Sequence, residues 1–354
     1  MSGSRYILGS EQIFYDFVDS ISKKDKIGVV THIDLDGVVS GIFLQKILES
    51  KDLKIDFMEF LDYNADTLKL LLNKDMDVLF FTDWKVDDYA EDLTNLRKKY
   101  RIFVVDHHLP NKDLKDKSNI IKTESKYCSA HTLFDLAKKG NYFNTKNIEW
   151  LVSAAVIMDY TIDNEENIKF LKSFYPEITL ENVWDSEPAL IGKKIANAIL
   201  YYKPHLKVIY ETILKGRFEK LEKTNNIITK EINEWKDKFK KEAEYFPEDK
   251  LYFYYATPKY GITSAVVSEI SSSELTKDTL IFVSNNLERG KEDFVKLSAR
   301  NQNGDVNLDK LLKKCTEGFE ESSAGGNPKA AAGTFPKRYL NKFKENLLSE
   351  IRFH

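Results

Sequence analysis

The stretch KIGVVTHIDLDG, residues 26–37, reads as a buried strand that runs directly into ligating side chains. KIGVV shows no polar alternation, as expected of a strand covered on both faces. His32, Asp34 and Asp36 then alternate, and alternate residues of an extended segment share a face, so an imidazole and two carboxylates converge. Gly37 permits a close turn before VVSGIFLQKILES, whose apolar spacing is helical. Three further runs repeat the strand pattern: KIDFMEF (54–60), DVLFF (77–81) and RIFVV (101–105). ADTLKLLLNK and YAEDLTNLRKKY lie between them with helical periodicity. Strands alternating with helices predict an α/β fold with a doubly wound parallel sheet. Ligands of such sheets bind beyond the carboxyl ends of the strands.

Asp83 follows the third run, and Asp106, His107 and His108 follow the fourth. A single Asp after a strand ordinarily caps a helix or fills a turn. Gathered at one sheet edge, Asp34, Asp36, Asp83 and Asp106 would repel one another unless cations neutralised them. Imidazole mixed with carboxylate suits Mn, Fe, Co or Zn, whereas a pure oxygen set suits Mg or Ca. A carboxylate at position 83 is placed to bridge two ions, as in metal-assisted phosphoryl chemistry.

With 354 residues the chain exceeds the usual size of one core, which predicts two domains. Its 42% hydrophobic and 31% charged residues suit a globular protein. No apolar run approaches the roughly 20 residues that span a bilayer, and MSGSRYILGSEQ lacks an apolar signal core. A cytoplasmic protein with no membrane partner is expected. The two cysteines, Cys128 and Cys315, give neither a disulfide framework nor a zinc spacing. A net charge of -3 neither supports nor excludes a nucleic-acid partner, because a binding face is local. Residues 203 to about 245, rich in Lys and Glu, read as a helical connector broken near Gly216, its charges a solvated face. LYFYYAT and TLIFVS then open a second, smaller α/β unit. The expected division is 1–202, 203–249 and 250–354.

VVDHH, preceded by H-x-D-x-D-G and an isolated Asp, resembles the DHH phosphoesterase superfamily. YCSAHTLFDL (127–136) is similar to the family's Cys-Ser-Ala helix start, and AAVIMDYT (154–161) to its fourth motif, which brings in Asp159. KLSARNQNGDVNLDKLL (296–312) and SSAGGNPKAAAGTFP (322–336) resemble the Ser-x-Arg segment and glycine loop of the DHH-associated C-terminal domain. The resemblance covers residues 26 to about 340, least clearly in the connector. It implies two divalent metal ions, manganese in this family. His32, Asp34 and Asp83 would hold one, and Asp36, Asp83, His107 and Asp159 the other. Asp106 would orient His107, a support that metal-bound imidazoles commonly have, and His108 would face the scissile phosphate or its leaving oxygen. Cys128 and Ser129 read as helix start and packing, since neither has a dedicated base.

In the second domain, Gly325, Gly326 and Gly333 let backbone N–H groups approach an anion, and Arg300 completes a clamp for a terminal phosphate or the next nucleotide. The family loop usually carries His where this chain has Asn327. The implied activity is a manganese-dependent phosphodiesterase or exonuclease of the RecJ-like and NrnA-like branches. Its substrates would be single-stranded DNA or RNA or short oligonucleotides, entering a cleft between the domains. The alternatives are a small-nucleotide phosphatase, acting on 3'-phosphoadenosine 5'-phosphate or a cyclic dinucleotide, and a subunit of a replication or RNA-decay assembly. A homodimer is also compatible with the sequence.

Overall fold

The computed structural model describes residues 5–62, 65–111, 114–162, 164–203, 205–287 and 292–353. It divides between Asn225 and Asn226 into two units, each with a six-stranded sheet among the described residues.

The first sheet contains β1 (Tyr6–Leu8), β2 (Ile27–Thr31), β3 (Ile55–Phe60), β4 (Val78–Thr82), β5 (Arg101–Asp106) and β6 (Ile120–Thr123), in the order β1-β6-β5-β4-β2-β3. β2 to β6 are mutually parallel, and β1 joins the edge of β6 antiparallel. The four runs read as strands, now β2 to β5, fall where their sequences place them. β1 and β6, of 3 and 4 residues, are too short to carry a recognisable period.

Every residue of β2 and β4 is buried, because helices cover both faces of the sheet. Val29, Phe80, Phe103 and Val105 join the core that includes the helices Leu35–Glu49, Ser129–Lys139 and Glu149–Met158. Their neighbours Val30, Leu79, Phe81 and Val104 join the other core, with Leu68, Trp84, Leu93 and Leu96. Leu35–Glu49 is apolar on nearly all sides, since it lies between the sheet and two further helices. The chain proceeds from β2 to β3 on one side and then returns to place β4 on the other side of β2. The carboxyl ends of β2 and β4 therefore flank the topological switch point, the place where ligands of such sheets bind.

The Lys- and Glu-rich zone forms the helices Lys207–Leu214 and Glu219–Glu242, with Gly216 between them at φ +60°. The longer helix buries Leu221, Ile228, Ile232 and Phe239 and leaves most of its charges in solvent. The second sheet runs β11-β12-β10-β9-β8-β7, from β7 (Glu244–Phe246), β8 (Leu251–Ala256), β9 (Thr279–Asn285), β10 (Phe294–Arg300), β11 (Ser323–Gly326) and β12 (Ala330–Pro336). β8 and β9 are parallel, and the other pairs are antiparallel. Leu251, Ile281, Val283, Leu297, Leu311 and Phe335 anchor its core.

Candidate metal centre

His32 to Asp36 leave the end of β2 at the switch point. Asp34 takes the N-cap of Leu35–Glu49, and its Oδ1 accepts the Gly37 amide at 2.9 Å. The other oxygen, Oδ2, lies 3.0 Å from His32 Nδ1. The capping role and the ligand role thus fall on different oxygens of one carboxylate. Gly37 is required by space, since a Cβ there would meet the His32 carbonyl oxygen at 2.3 Å.

Asp83 follows β4 with a left-handed backbone, φ +53°, which its short polar side chain tolerates. Its amide donates to Val105 O at 2.9 Å, tying this bend to β5. The carboxylate lies between two imidazoles: Oδ2 is 3.7 Å from His32 Nδ1, and Oδ1 is 3.4 Å from His107 Nε2. Oδ1 also accepts the Ser129 hydroxyl at 3.2 Å. Ligand atoms of His32, Asp34 and Asp83 form one triad, and those of Asp83, His107 and His108 another, each within 4.8 Å. Asp83 is common to both.

Asp36 lies in the first helical turn, buried, and both its oxygens accept backbone N–H groups at 2.8 Å, from Ser129 and Ala130. The Cys-Ser-Ala start therefore aims a helix N-terminus at Asp36, where amides and macrodipole favour negative charge. Asp36 and Asp159 form a third triad with Cys128. Burial first, then Asp36 and Asp159, push the Cys128 thiol well above its usual range, so it stays protonated and is no nucleophile.

Asp106 acts on a different partner from the one expected. Its Oδ1 meets His108 Nδ1 at 2.7 Å and the His107 amide at 2.9 Å, while the His107 ring faces Asp83, Asp159 and the Ser125 carbonyl. Behind Asp106 lies Lys122, fully buried on β6. Its ammonium pairs with Asp106 Oδ2 and, at 2.7 Å, with Asp87 Oδ1. Asp87 Oδ2 in turn accepts the Asn111 amide at 2.7 Å. Sequence reading missed Lys122 because a lysine within IIKT reads as an exposed edge position. Asp62 was missed as well, and lies 3.8 Å from His32 Nε2.

Electrostatics test whether cations fit. Burial first, then Asp83 and Asp159, raises Asp36 well above the carboxylate range. Burial, opposed by His107 and reinforced by Asp83 and Asp34, raises Asp159 to about 7. Burial would lower both His32 and His107, but the surrounding carboxylates hold them well above the ordinary histidine range. Asp159 Oδ2 is buried without a hydrogen-bond partner among the described residues. Buried carboxylates and imidazoles in this arrangement favour added positive charge, and a mixed N/O set of this kind suits divalent transition metals.

In the second unit Arg300 ends β10, its Nε and one terminal nitrogen each 2.9 Å from the hydroxyls of Ser268 and Ser264. The glycine loop is the β11–β12 hairpin, in which Gly325 and Gly326 pair with Ala332 and Ala331. Gly326 is fixed by close approach, since a Cβ would meet Ala330 O at 2.3 Å. Asn327 Oδ1 accepts the amides of Lys329 and Ala330, both at 2.9 Å, so it closes the turn. Arg300 is paired with Ala330 in the sheet register, which places it beside this turn.

Residues 26–173 match the family described as "DHH family, N-terminal domain". This segment is a DHH domain. Within the DHH domain fall all six expected metal ligands, His32, Asp34, Asp36, Asp83, His107 and Asp159. No curated protein matches the chain in sequence. Among solved structures, the chain is similar to exonuclease RecJ bound to manganese, at 15% identity and TM-score 0.72, covering 97% of this chain and 94% of that one. An exopolyphosphatase-related protein from Bacteroides fragilis aligns at 15% identity and TM-score 0.57, covering 97% and 96%. CDC45 from Entamoeba histolytica aligns at 12% identity and TM-score 0.62, covering 97% and 98%. At these identities the likeness establishes the fold, and the DHH domain's site must be read from its own residues. No described helix is long and apolar enough to cross a membrane.

Proposed function

We propose that this protein is a manganese-dependent phosphodiesterase that removes nucleotides from single-stranded nucleic acid or short oligonucleotides. The DHH family comprises phosphoester hydrolases, and the observation that carries the reading is Asp83, whose carboxylate lies between His32 and His107 while Asp36 and Asp159 come together in a separate triad. His32, Asp34 and Asp83 would hold one ion, and Asp36, Asp83, His107 and Asp159 the second. Two cations so held would neutralise a phosphodiester and lower the pKa of water, which is the chemistry a diester needs.

The chain's own residues have separate tasks. Asp83 stays ionised, because His107 and His32 outweigh the burial that would protonate it. The amides of Ser129 and Ala130 fix the Asp36 carboxylate in one orientation. Asp106 holds the His108 ring through Nδ1, and Nε2 would face a phosphate or leaving oxygen. In the second unit, Arg300, with the Gly325–Gly326–Asn327 hairpin beside it, would grip a phosphate away from the cleaved bond. Asn327 Oδ1 is committed to the turn, so its amide nitrogen is the donor it can offer.

The test is release of product from end-labelled single-stranded DNA and RNA of graded length, beside inorganic polyphosphate, by protein stripped of metal and reloaded with Mn²⁺. Stepwise shortening of the oligonucleotides is expected. Cleavage of polyphosphate alone, or full activity after verified stripping, would overturn the reading.

A further inference from the structure

The helix Glu149–Met158 ends on Asp159, and the turn that follows is a Schellman motif. The Thr161 amide donates to Val156 O at 3.4 Å, and the Tyr160 amide to Ile157 O at 3.1 Å. That pattern places the residue after the cap in the left-handed region, where glycine is the ordinary occupant. Here the occupant is Tyr160, at φ +56°. A tyrosine is disfavoured in this conformation, and burial does not repay it, since Tyr160 is 59% exposed.

Its ring meets that of Trp184, 42% exposed, with centroids 5.2 Å apart and planes at 46°. Trp184 sits on a short turn, Val183–Asp185, anchored in the core by the fully buried Val183. Two aromatic rings in contact are thus partly exposed to solvent, one of them on the residue next to Asp159.

We propose that Tyr160 and Trp184 form a stacking platform for a nucleobase of the substrate, seated beside the metal centre. This rests on the nuclease reading above and deepens it, because a platform for a base distinguishes nucleic acid from a polyphosphate chain of similar charge. The chemistry is sequence-tolerant, as every base has a π-face to lay on an aromatic ring. Neither ring carries a charge, so what the platform adds is stacking rather than charge pairing.

The closing experiment compares wild type with Tyr160→Gly, Tyr160→Phe and Trp184→Ala, all loaded with Mn²⁺. Glycine suits the backbone at position 160 and removes only the ring. The substrates are two short single-stranded oligonucleotides of one length, one with all bases and one with abasic residues at its end. Wild type is expected to prefer the intact oligonucleotide by roughly tenfold in kcat/KM, mostly through KM. Tyr160→Gly and Trp184→Ala should lose that preference with metal content unchanged, and Tyr160→Phe should keep it. Independently of turnover, adenosine 5'-monophosphate should quench the Trp184 fluorescence and ribose 5-phosphate should not, the difference vanishing in Trp184→Ala. A wild type that cleaves both oligonucleotides equally, or a Tyr160→Gly protein that keeps the preference, overturns the platform and leaves the nuclease reading standing. A fully metallated wild type that cleaves neither overturns both.

Discussion

Oδ1 of Asp106 lies 2.7 Å from Nδ1 of His108, and its other oxygen takes the ammonium of the fully buried Lys122. One carboxylate thereby couples a solvent-reaching imidazole to a charge in the interior. Lys122 also meets Asp87, so its removal would leave two buried carboxylates facing each other. Replacing it by Met is expected to cost about 3 to 5 kcal/mol of stability, the usual penalty for stranding buried charge. Urea unfolding of the metal-free protein checks this, and a loss below about 0.5 kcal/mol, typical of a surface site, would show that the pairs contribute no support.

Asp83 and Asp34 should separate by metal count. Asp83→Ala removes the carboxylate common to two triads, so both ions should be lost and turnover abolished. Asp34→Ala touches one triad and should weaken one ion, although the helix cap also goes, at about 1 kcal/mol. Elemental analysis of the two proteins tests the assignment, and two metals retained in Asp83→Ala contradicts it.

The mixed imidazole and carboxylate set predicts activity with Mn²⁺ above that with Mg²⁺, and none with Ca²⁺, which favours six to eight oxygen ligands. Rates after stripping and reloading with each ion decide the order. Calcium supporting the manganese rate would be incompatible with this ligand set.

Arg300→Ala should lower kcat/KM on two- to five-nucleotide substrates by roughly ten- to hundredfold, the value of one charge-assisted phosphate contact. Metal content should not change. The neighbouring Asn327→His exchange has a cost that only the structure reveals: it removes the oxygen that accepts two backbone amides in the hairpin turn. Gain of charge at low pH would therefore be set against a loosened turn, and kinetics on the same substrates would show which prevails.

His131 links stability to pH. It is buried against the Phe170 ring, 3.9 Å between centroids, and burial first, then Arg5, holds its pKa well below the usual histidine range. In the unfolded chain it titrates near 6.5. Below that pH the unfolded state binds a proton that the folded state refuses, so stability is complete above about 6.5 and falls as pH drops. His131→Phe keeps the stacking and removes the titration. Urea midpoints of the metal-free proteins between pH 7.5 and 5.5 should fall less in the variant, and parallel slopes would exclude the contribution.

The strands of the first sheet were legible because burial on both faces leaves unbroken apolar runs, as in DVLFF and RIFVV. His32, Asp34, Asp83 and His107 were legible because polar residues directly follow those runs. Lys122 and the carboxylate it shares were not. β6 is too short to display a period, and a buried lysine is visible only once its partners at positions 87 and 106 come together in space. The role of Asp106 was assigned to the adjacent imidazole for the same reason, since sequence neighbours at a strand end point in different directions. That Asn327 closes the hairpin turn was not legible either, because its place there depends on strand pairing that no local pattern encodes.

The bond from Asp36 to the Ser129 and Ala130 amides has a consequence in time. It joins residues 93 and 94 positions apart. At a synthesis rate of about 5 to 20 residues per second, its second half leaves the ribosome roughly 5 to 20 s after the first. During that interval the nascent chain displays His32, Asp34 and Asp36 without the helix end that fixes Asp36, and without Asp159. Such a half-made pocket has fewer ligands and no defined geometry, and so little means of rejecting the wrong ion. On the proposed metal-centre reading, selection of the ion would therefore belong to the last stage of the domain's biogenesis, when the helices after β6 have packed on the sheet.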